Sequence, residues 1–150
     1  MKILVLDTNI LIHYLKSTSL MNDVQQYLNH NEDYTIIISV VTKAELQAIA
    51  LMNNWGNNRL KALNQLLASF TYLDIEYGNE ELLNAYASIH AFSQGKAAAP
   101  NGQMLGNSSR NMGKNDLWIA ATAHALNAVL LTTDGNFDHL HNLYFEVKKF

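Results

Sequence analysis

Residues 130–140 read LLTTDGNFDHL: an apolar run, two threonines, an aspartate, then Gly135-Asn136 and a second aspartate. The run extends back through Ala128 and Val129, so 128–133 has the length and composition of a strand buried on both faces. Comparable runs occur at 2–7, KILVLD, at 34–40, YTIIISV, at 70–75, FTYLDI, and at 143–148, LYFEVK. Between them apolar residues recur three and four apart, as at Leu60, Leu63, Leu66 and Leu67, which predicts helices over 9–24, 42–54, 57–69, 79–92 and 115–127. Strands alternating with helices imply crossover connections. The expected fold is therefore a three-layer α/β/α, Rossmann-like domain around a mostly parallel sheet of about five strands.

Composition limits the alternatives. A chain of 150 residues with 49% hydrophobic content suits one compact domain over 1–150. A charged fraction of 15% and a net charge of −3 exclude the disordered class. No apolar run approaches the roughly 18 residues of a membrane span. The opening MKILVLD breaks at Asp7 without a small-residue cleavage site, so no secretory signal is expected. With no cysteine, disulfides and thiolate metal sites are excluded, and a reducing cytoplasm is the expected location. One stretch breaks the rhythm: 93–113, SQGKAAAPNGQMLGNSSRNMG, holds the single proline and four of the seven glycines. An irregular insertion or flap over a site is expected there.

In a parallel sheet, ligands bind at the carboxyl ends of the strands, so polar residues there are the ones to question. Asp7 ends the first strand, Glu45 lies one turn into the following helix in TKAEL, Asp116 opens a helix in NDLWIAATAHA, and Asp134 ends the strand at 128–133. Each has an ordinary structural explanation. Asp7 can cap a helix. Thr42 and Glu45 match a capping box, Asp116 complements a helix dipole, and Asp134 and Asp138 flank a turn. None of these explains why all four fall on one rim, where only Lys43 and Lys114 lie within two residues of any of them.

Crowded carboxylates repel one another unless a cation joins them. Oxygen donors without thiolate or imidazole suit Mg²⁺ or Mn²⁺, as one ion or two. Such a cluster is suited to metal-assisted phosphodiester hydrolysis, in which the metal activates water and screens the developing charge. The acidic balance argues mildly against nucleic-acid affinity, but two divalent ions would carry the net charge from −3 to about +1. Lys96, Arg110 and Lys114 border the expected site and are candidates to hold phosphates.

LVLDTNILI, TKAEL, NDLWIAATAHA and LLTTDGNFDHL, in this order and across nearly the whole chain, resemble the PIN domain, and most of all the VapC-type toxin ribonucleases of toxin–antitoxin pairs. The resemblance implies a parallel sheet with helices on both faces, Mg²⁺- or Mn²⁺-dependent endoribonuclease activity, a cognate antitoxin that blocks the site, and a homodimer. It places Asp7, Glu45, Asp116 and Asp134 at the family's four acidic positions. Asp7 and Asp116 are then the central ligands, with Glu45 and Asp134 completing the set. Thr8 and Thr133 would orient water or a carboxylate. The chain departs at Asn136, where many relatives carry an acid, which implies weaker binding of a second ion. Asp138 is the residue that could compensate.

Other residues attract notice and are set aside. His139 and His141, two apart, would face different ways on a helix, and His124 lies roughly 12 Å along the helix from Asp116. Trp118, Trp55 and the tyrosines fit a core as well as a base-stacking surface. Two competing readings remain. One is a PIN-fold binding module weakened in catalysis, for which Asn136 speaks. The other is a phosphoacceptor receiver domain with Asp74 as acceptor, which lacks the paired acids such a domain needs after the first strand.

Overall fold

The computed structural model describes residues 1–31, 33–106 and 108–150. Five strands, β1 (Lys2–Leu6), β2 (Tyr34–Ser39), β3 (Thr71–Leu73), β4 (Val129–Thr132) and β5 (Glu146–Lys149), form one sheet in the order β3-β2-β1-β4-β5. Every pairing is parallel. Among the described residues six helices connect them: α1 (Thr8–Leu15), α2 (Leu20–His30), α3 (Val40–Met52), α4 (Asn57–Ala68), α5 (Glu80–Ser93) and α6 (Lys114–Ala125). A 3₁₀ turn at Gly135–Leu140 follows β4.

Alternation along the central strands sorts the helices into two layers, because successive strand residues point to opposite faces. Leu4 and Leu6 of β1 and Val129 and Leu131 of β4 pack with Ile10, Val24, Leu46 and Leu63 on the α1–α4 side. Val5 and Leu130, one step out of phase, pack with Ile89, Phe92, Ile119 and Ala120 on the α5–α6 side. Small residues on α6, Ala120, Ala121 and Ala123, are all fully buried and let this helix approach both the sheet and α5.

Three expectations need correction. The helix expected over 9–24 is two helices, α1 and α2, parted at Lys16–Ser19, where Ser17 takes a positive φ of 51°. The polar run KSTS cannot continue the apolar stripe, and His13 Nδ1 instead meets Thr18 Oγ1 at 2.9 Å across the turn. The strand expected at 70–75 is limited to Thr71–Leu73 on the sheet edge. That expected at 143–148 is displaced to Glu146–Lys149, because Tyr144 and Phe145 turn into the core beneath α6.

The described part of 93–113 is irregular beyond Ser93 but is tied down. Ala99 is buried in the α5–α6 core with Leu105 and Met112 against it, and Arg110 N donates to Ser93 O at 2.7 Å. Asn107, inside the same stretch, lies outside the described residues.

Candidate active site

The sheet order places β1 at its centre, with the chain moving to β2 on one side and reaching β4 on the other. That reversal opens a crevice at the carboxyl ends of β1 and β4, the place where α/β sheets hold ligands. Leu6 pairs with Leu131, and Asp7 N donates to Leu131 O at 2.9 Å. The next residues on each strand, Asp7 and Thr132, therefore emerge side by side.

Asp7 is 3% exposed. Its Oδ1 accepts from Thr8 N at 2.7 Å, and its Oδ2 accepts from Thr132 Oγ1 at 2.7 Å. It thus caps α1 as aspartates do, but the cap uses one oxygen only. Burial, outweighing those two donors, raises its pKa from 3.8 to about 6, with the charges of Asp116 and Glu45 adding to the rise.

Glu45 is not part of a capping box. Helix α3 starts at Val40 with Ser39 as its cap, the Ser39 hydroxyl accepting from Val41 N at 3.3 Å, so Glu45 lies in the second turn. Its Oε1 accepts from Thr8 Oγ1 at 2.8 Å, and the same Thr8 hydroxyl lies 3.3 Å from that of buried Thr42. Lys43 does not neutralise the rim, because its ammonium sits 5.5 Å from the centre of the Tyr72 ring.

Asp116 lies in the first turn of α6. Partial burial raises its pKa, assisted by the charges of Asp134 and Glu45 and opposed by a hydrogen bond from Asn136. Asp134 caps the 3₁₀ turn: its Oδ1 accepts from Asn136 N at 3.0 Å. The Asn136 amide nitrogen then bridges Asp116 Oδ2 at 3.3 Å and Asp134 Oδ2 at 3.2 Å. The four carboxylates act on one another through their charges: Asp116 and Glu45 push up the pKa of Asp7, and Asp134 and Glu45 push up that of Asp116.

Two supporting residues are placed differently from expectation. The hydroxyl that reaches the buried carboxylate belongs to Thr132, not Thr133, because register puts 132 beside Asp7. Thr132 Oγ1 also accepts from Asp134 N at 3.0 Å, so one hydroxyl links the Asp7 carboxylate to the Asp134 backbone. Asp138 is drawn away by Lys149, whose Nζ lies 2.8 Å from its Oδ2. Thr132 and Ser39 were missed in the sequence, and Thr42, expected as a helix cap, lies instead beside the Thr8 hydroxyl. Strand parity picks out Thr132 once the β1–β4 register is known.

Lys96, Arg110 and Lys114 are exposed. The histidines set aside from ligation are engaged elsewhere: His139 Nε2 with Ser93 Oγ at 2.8 Å, His141 Nδ1 with Val147 N at 2.9 Å, and His124 Nδ1 with Tyr144 O at 2.7 Å. Trp118 packs on Tyr86 with ring centres 4.2 Å apart, between α5 and α6.

Among the described residues the ion pairs are Met1–Asp33 and Lys149–Asp138, so no lysine, arginine or histidine neutralises any of the four acids. Nor do three acidic or histidine side chains close on one point there as the ligands of a single ion. The side-chain donors of the rim are carboxylate and hydroxyl oxygens, with no sulfur or imidazole engaged there, a chemistry that suits a hard divalent cation better than a soft one.

A doubly wound α/β sheet with acids gathered at its switch point defines a narrow class of proteins. The chain matches the PIN domain model over residues 4–143 and belongs to the PIN domain family. A protein named ribonuclease VapC1 from Haemophilus influenzae (strain R2866) is 33% identical over 132 residues, 87% of this chain and 85% of its own. The solved structure of VapBC-1 from nontypeable Haemophilus influenzae matches with a TM-score of 0.69 and 27% identity, covering 98% of this chain and 97% of that one. VapBC2 from Rickettsia felis, solved bound to a DNA fragment from its promoter, shares the fold with a TM-score of 0.68 at 23% identity over 99% and 98% of the two chains. Membership leaves the receiver reading without support, and Asp74 lies exposed beyond the edge strand β3, with β2 between it and β1.

Proposed function

We propose that the chain is a metal-dependent endoribonuclease that hydrolyses RNA phosphodiester bonds and serves as the toxin of a type II toxin–antitoxin pair. The observation that carries this reading is Asp7: a buried carboxylate, pushed up to about 6, acted on by the charges of Asp116 and Glu45 and, among the described residues, paired with no basic side chain. A site arranged in that way is unfavourable by itself and becomes favourable around a cation. The relatives named ribonuclease VapC1 supply the substrate class.

Asp7 and Asp116 would hold one or two Mg²⁺ or Mn²⁺ ions, with Glu45 and Asp134 completing the set. The bound metal supplies a lowered pKa for water and a positive charge beside the phosphate. Thr132 and the Thr8 backbone N–H hold Asp7 in its rotamer, and the Thr8 hydroxyl holds Glu45. Lys96, Arg110 and Lys114 take RNA phosphates, with Lys114 two residues from Asp116 at the start of α6.

The solved neighbours are toxin–antitoxin complexes, which supports a cognate antitoxin as partner. Leu51 and Met52, 79% and 72% exposed at the end of α3, supply apolar surface for a homodimer. Among the described residues no helix is long and apolar enough to cross a membrane, and the site of action in this reading is the reducing cytoplasm that a cysteine-free chain suits.

The test is cleavage of total RNA by the purified chain. Activity should require Mg²⁺ or Mn²⁺, vanish with a chelator, and vanish in Asp7→Asn and Asp116→Asn. The second reading, a binding module, is favoured by the uncharged Asn136. Undiminished RNA binding with no metal-dependent cleavage would select it.

A further inference from the structure

Helix α3 carries two apolar faces, and only one of them meets the core. Thr42, Leu46 and Ala50, four apart, are buried, the last two in the α1–α4 core. Val41, Ala44, Ala48, Ile49 and Met52 also recur at helical spacing, yet Ala44, Ala48 and Met52 are exposed. An apolar face that meets no core is an unusual surface for a helix to present and marks a place of contact. Here it lines a groove of about 310 Å³, shared with Glu45 and with Asn115 from the first turn of α6. That volume lies at the small end of ligand pockets, about 300–1,000 Å³.

Two features decide what fits. The groove runs into the acidic rim: Glu45 lines it while accepting the Thr8 hydroxyl at the rim, and Asn115 immediately precedes Asp116. A strand held at the rim by a phosphate therefore brings a neighbouring nucleotide to the groove. The lining, in turn, is apolar with one carboxamide, and among the described residues no lysine, arginine or histidine belongs to it. A phosphate gains nothing there. Short side chains at Ala44 and Ala48 admit a flat ring, and a carboxamide offers an acceptor beside two donors. Asn136, the other amide near the rim, is already held by Asp116 and Asp134, whereas Asn115 is exposed and, among the described residues, no hydrogen bond engages its side chain.

We propose that this groove receives the base next to the scissile phosphate and that Asn115 selects adenine there. This rests on the endoribonuclease reading above and adds a base preference to it. The adenine N6 amino group donates to the Asn115 carbonyl oxygen, and the Asn115 amino group donates to N7. Guanine presents O6 and N7 on the same edge, two acceptors, so the amide oxygen finds no donor. Pyrimidines cover less of the apolar wall. Unpaired RNA bases that splay out of the stack are read in this manner, by their faces and edges together.

Cleavage of a randomised pool of single-stranded RNA by the full chain with Mn²⁺, followed by sequencing of the new ends, tests the proposal. Adenine should dominate at one position adjoining the cut. Against guanine at that position the advantage in kcat/KM should be about 5- to 150-fold, the usual range for one bidentate base contact. Asn115→Ala should bring this ratio close to one and leave Mn²⁺ uptake at the wild-type value. Ala48→Trp, which fills the groove, should raise KM with little change in kcat. Cleavage without base preference, a preference for another base, or an adenine preference that survives in Asn115→Ala would overturn the proposal and leave the nuclease reading standing. If Ala48→Trp kept the preference and instead split a dimer in sedimentation, the groove would belong to a second copy of the chain, which also overturns it. No metal-dependent cleavage of any RNA would overturn both readings. The Asn115 variant decides by itself if Ala48→Trp does not fold.

Discussion

Thr132 donates its hydroxyl to Asp7 Oδ2 at 2.7 Å, joining side chains 125 residues apart in the chain. The contact follows from the sheet: Leu6 pairs with Leu131, so the next residue on each strand shares one face. Thr132 is fully buried and Asp7 nearly so, which makes this one of the few donors that Asp7 has. Metal-free Thr132→Val, which keeps the shape and removes the hydroxyl, should lose about 1.5–3 kcal/mol at pH 8, the usual worth of a hydrogen bond to a charged group. Urea unfolding measures it, and Thr132→Ser should recover most of the loss. A valine variant as stable as wild type would mean that the hydroxyl does not support the carboxylate.

The raised pKa of Asp7 makes the metal-free protein sensitive to pH. A carboxyl whose folded pKa of about 6 exceeds its unfolded value of 3.8 favours the fold most when protonated. Its contribution is complete below about pH 4 and is lost as pH rises through 6. The difference corresponds to about 3 kcal/mol. Asp7→Asn should therefore be more stable than wild type at pH 8 in a chelator, and the gap should close toward pH 4. Saturating Mn²⁺ should narrow the gap at pH 8, since only the carboxylate gains from the cation. A gap that does not change with pH would show that Asp7 is not desolvated.

Glu45 depends on Thr8 for its place, so the two should behave as a unit. Thr8→Val removes the 2.8 Å contact and leaves the Thr8 N to Asp7 bond in place. Residues that orient ligands typically cost 10- to 100-fold in metal affinity or activity when changed. Mn²⁺ affinity should fall by about that factor, and Thr8→Ser should restore it. In the background of Glu45→Gln, Thr8→Val should cost much less, a non-additivity that a double-mutant cycle reads. Full additivity would separate the two residues.

Three of the four candidate acids stand out in the sequence because they sit at element boundaries that are themselves local. Asp7 ends KILVLD, Asp134 ends AVLLTT, and Asp116 opens an alanine-rich helix. Pairing across the sheet is not local. Thr132 and Thr133 are equivalent in a linear reading, and only the Leu6–Leu131 register decides between them. The capping box at Thr42 failed for a related reason. Val40 and Val41 are β-branched, so they extend a strand pattern although they form the first turn of α3, and the true cap, Ser39, looked like strand interior. The break at Ser17 was masked because apolar residues on both sides of KSTS keep helical spacing.

Asp138 tests whether proximity along the chain was a fair guide to the site. It stands four residues after Asp134, yet its carboxylate is held by Lys149 at 2.8 Å, with both side chains about half exposed. Exposed pairs of this kind contribute about 0–1 kcal/mol. Lys149→Ala and Asp138→Asn should each shift the melting midpoint slightly and leave both the number of Mn²⁺ ions bound and the rate of RNA cleavage at wild-type values. If Asp138→Asn instead removed an ion, the Lys149 pair would have to open when metal binds. The acidic set would then extend along the 3₁₀ turn beyond Asn136.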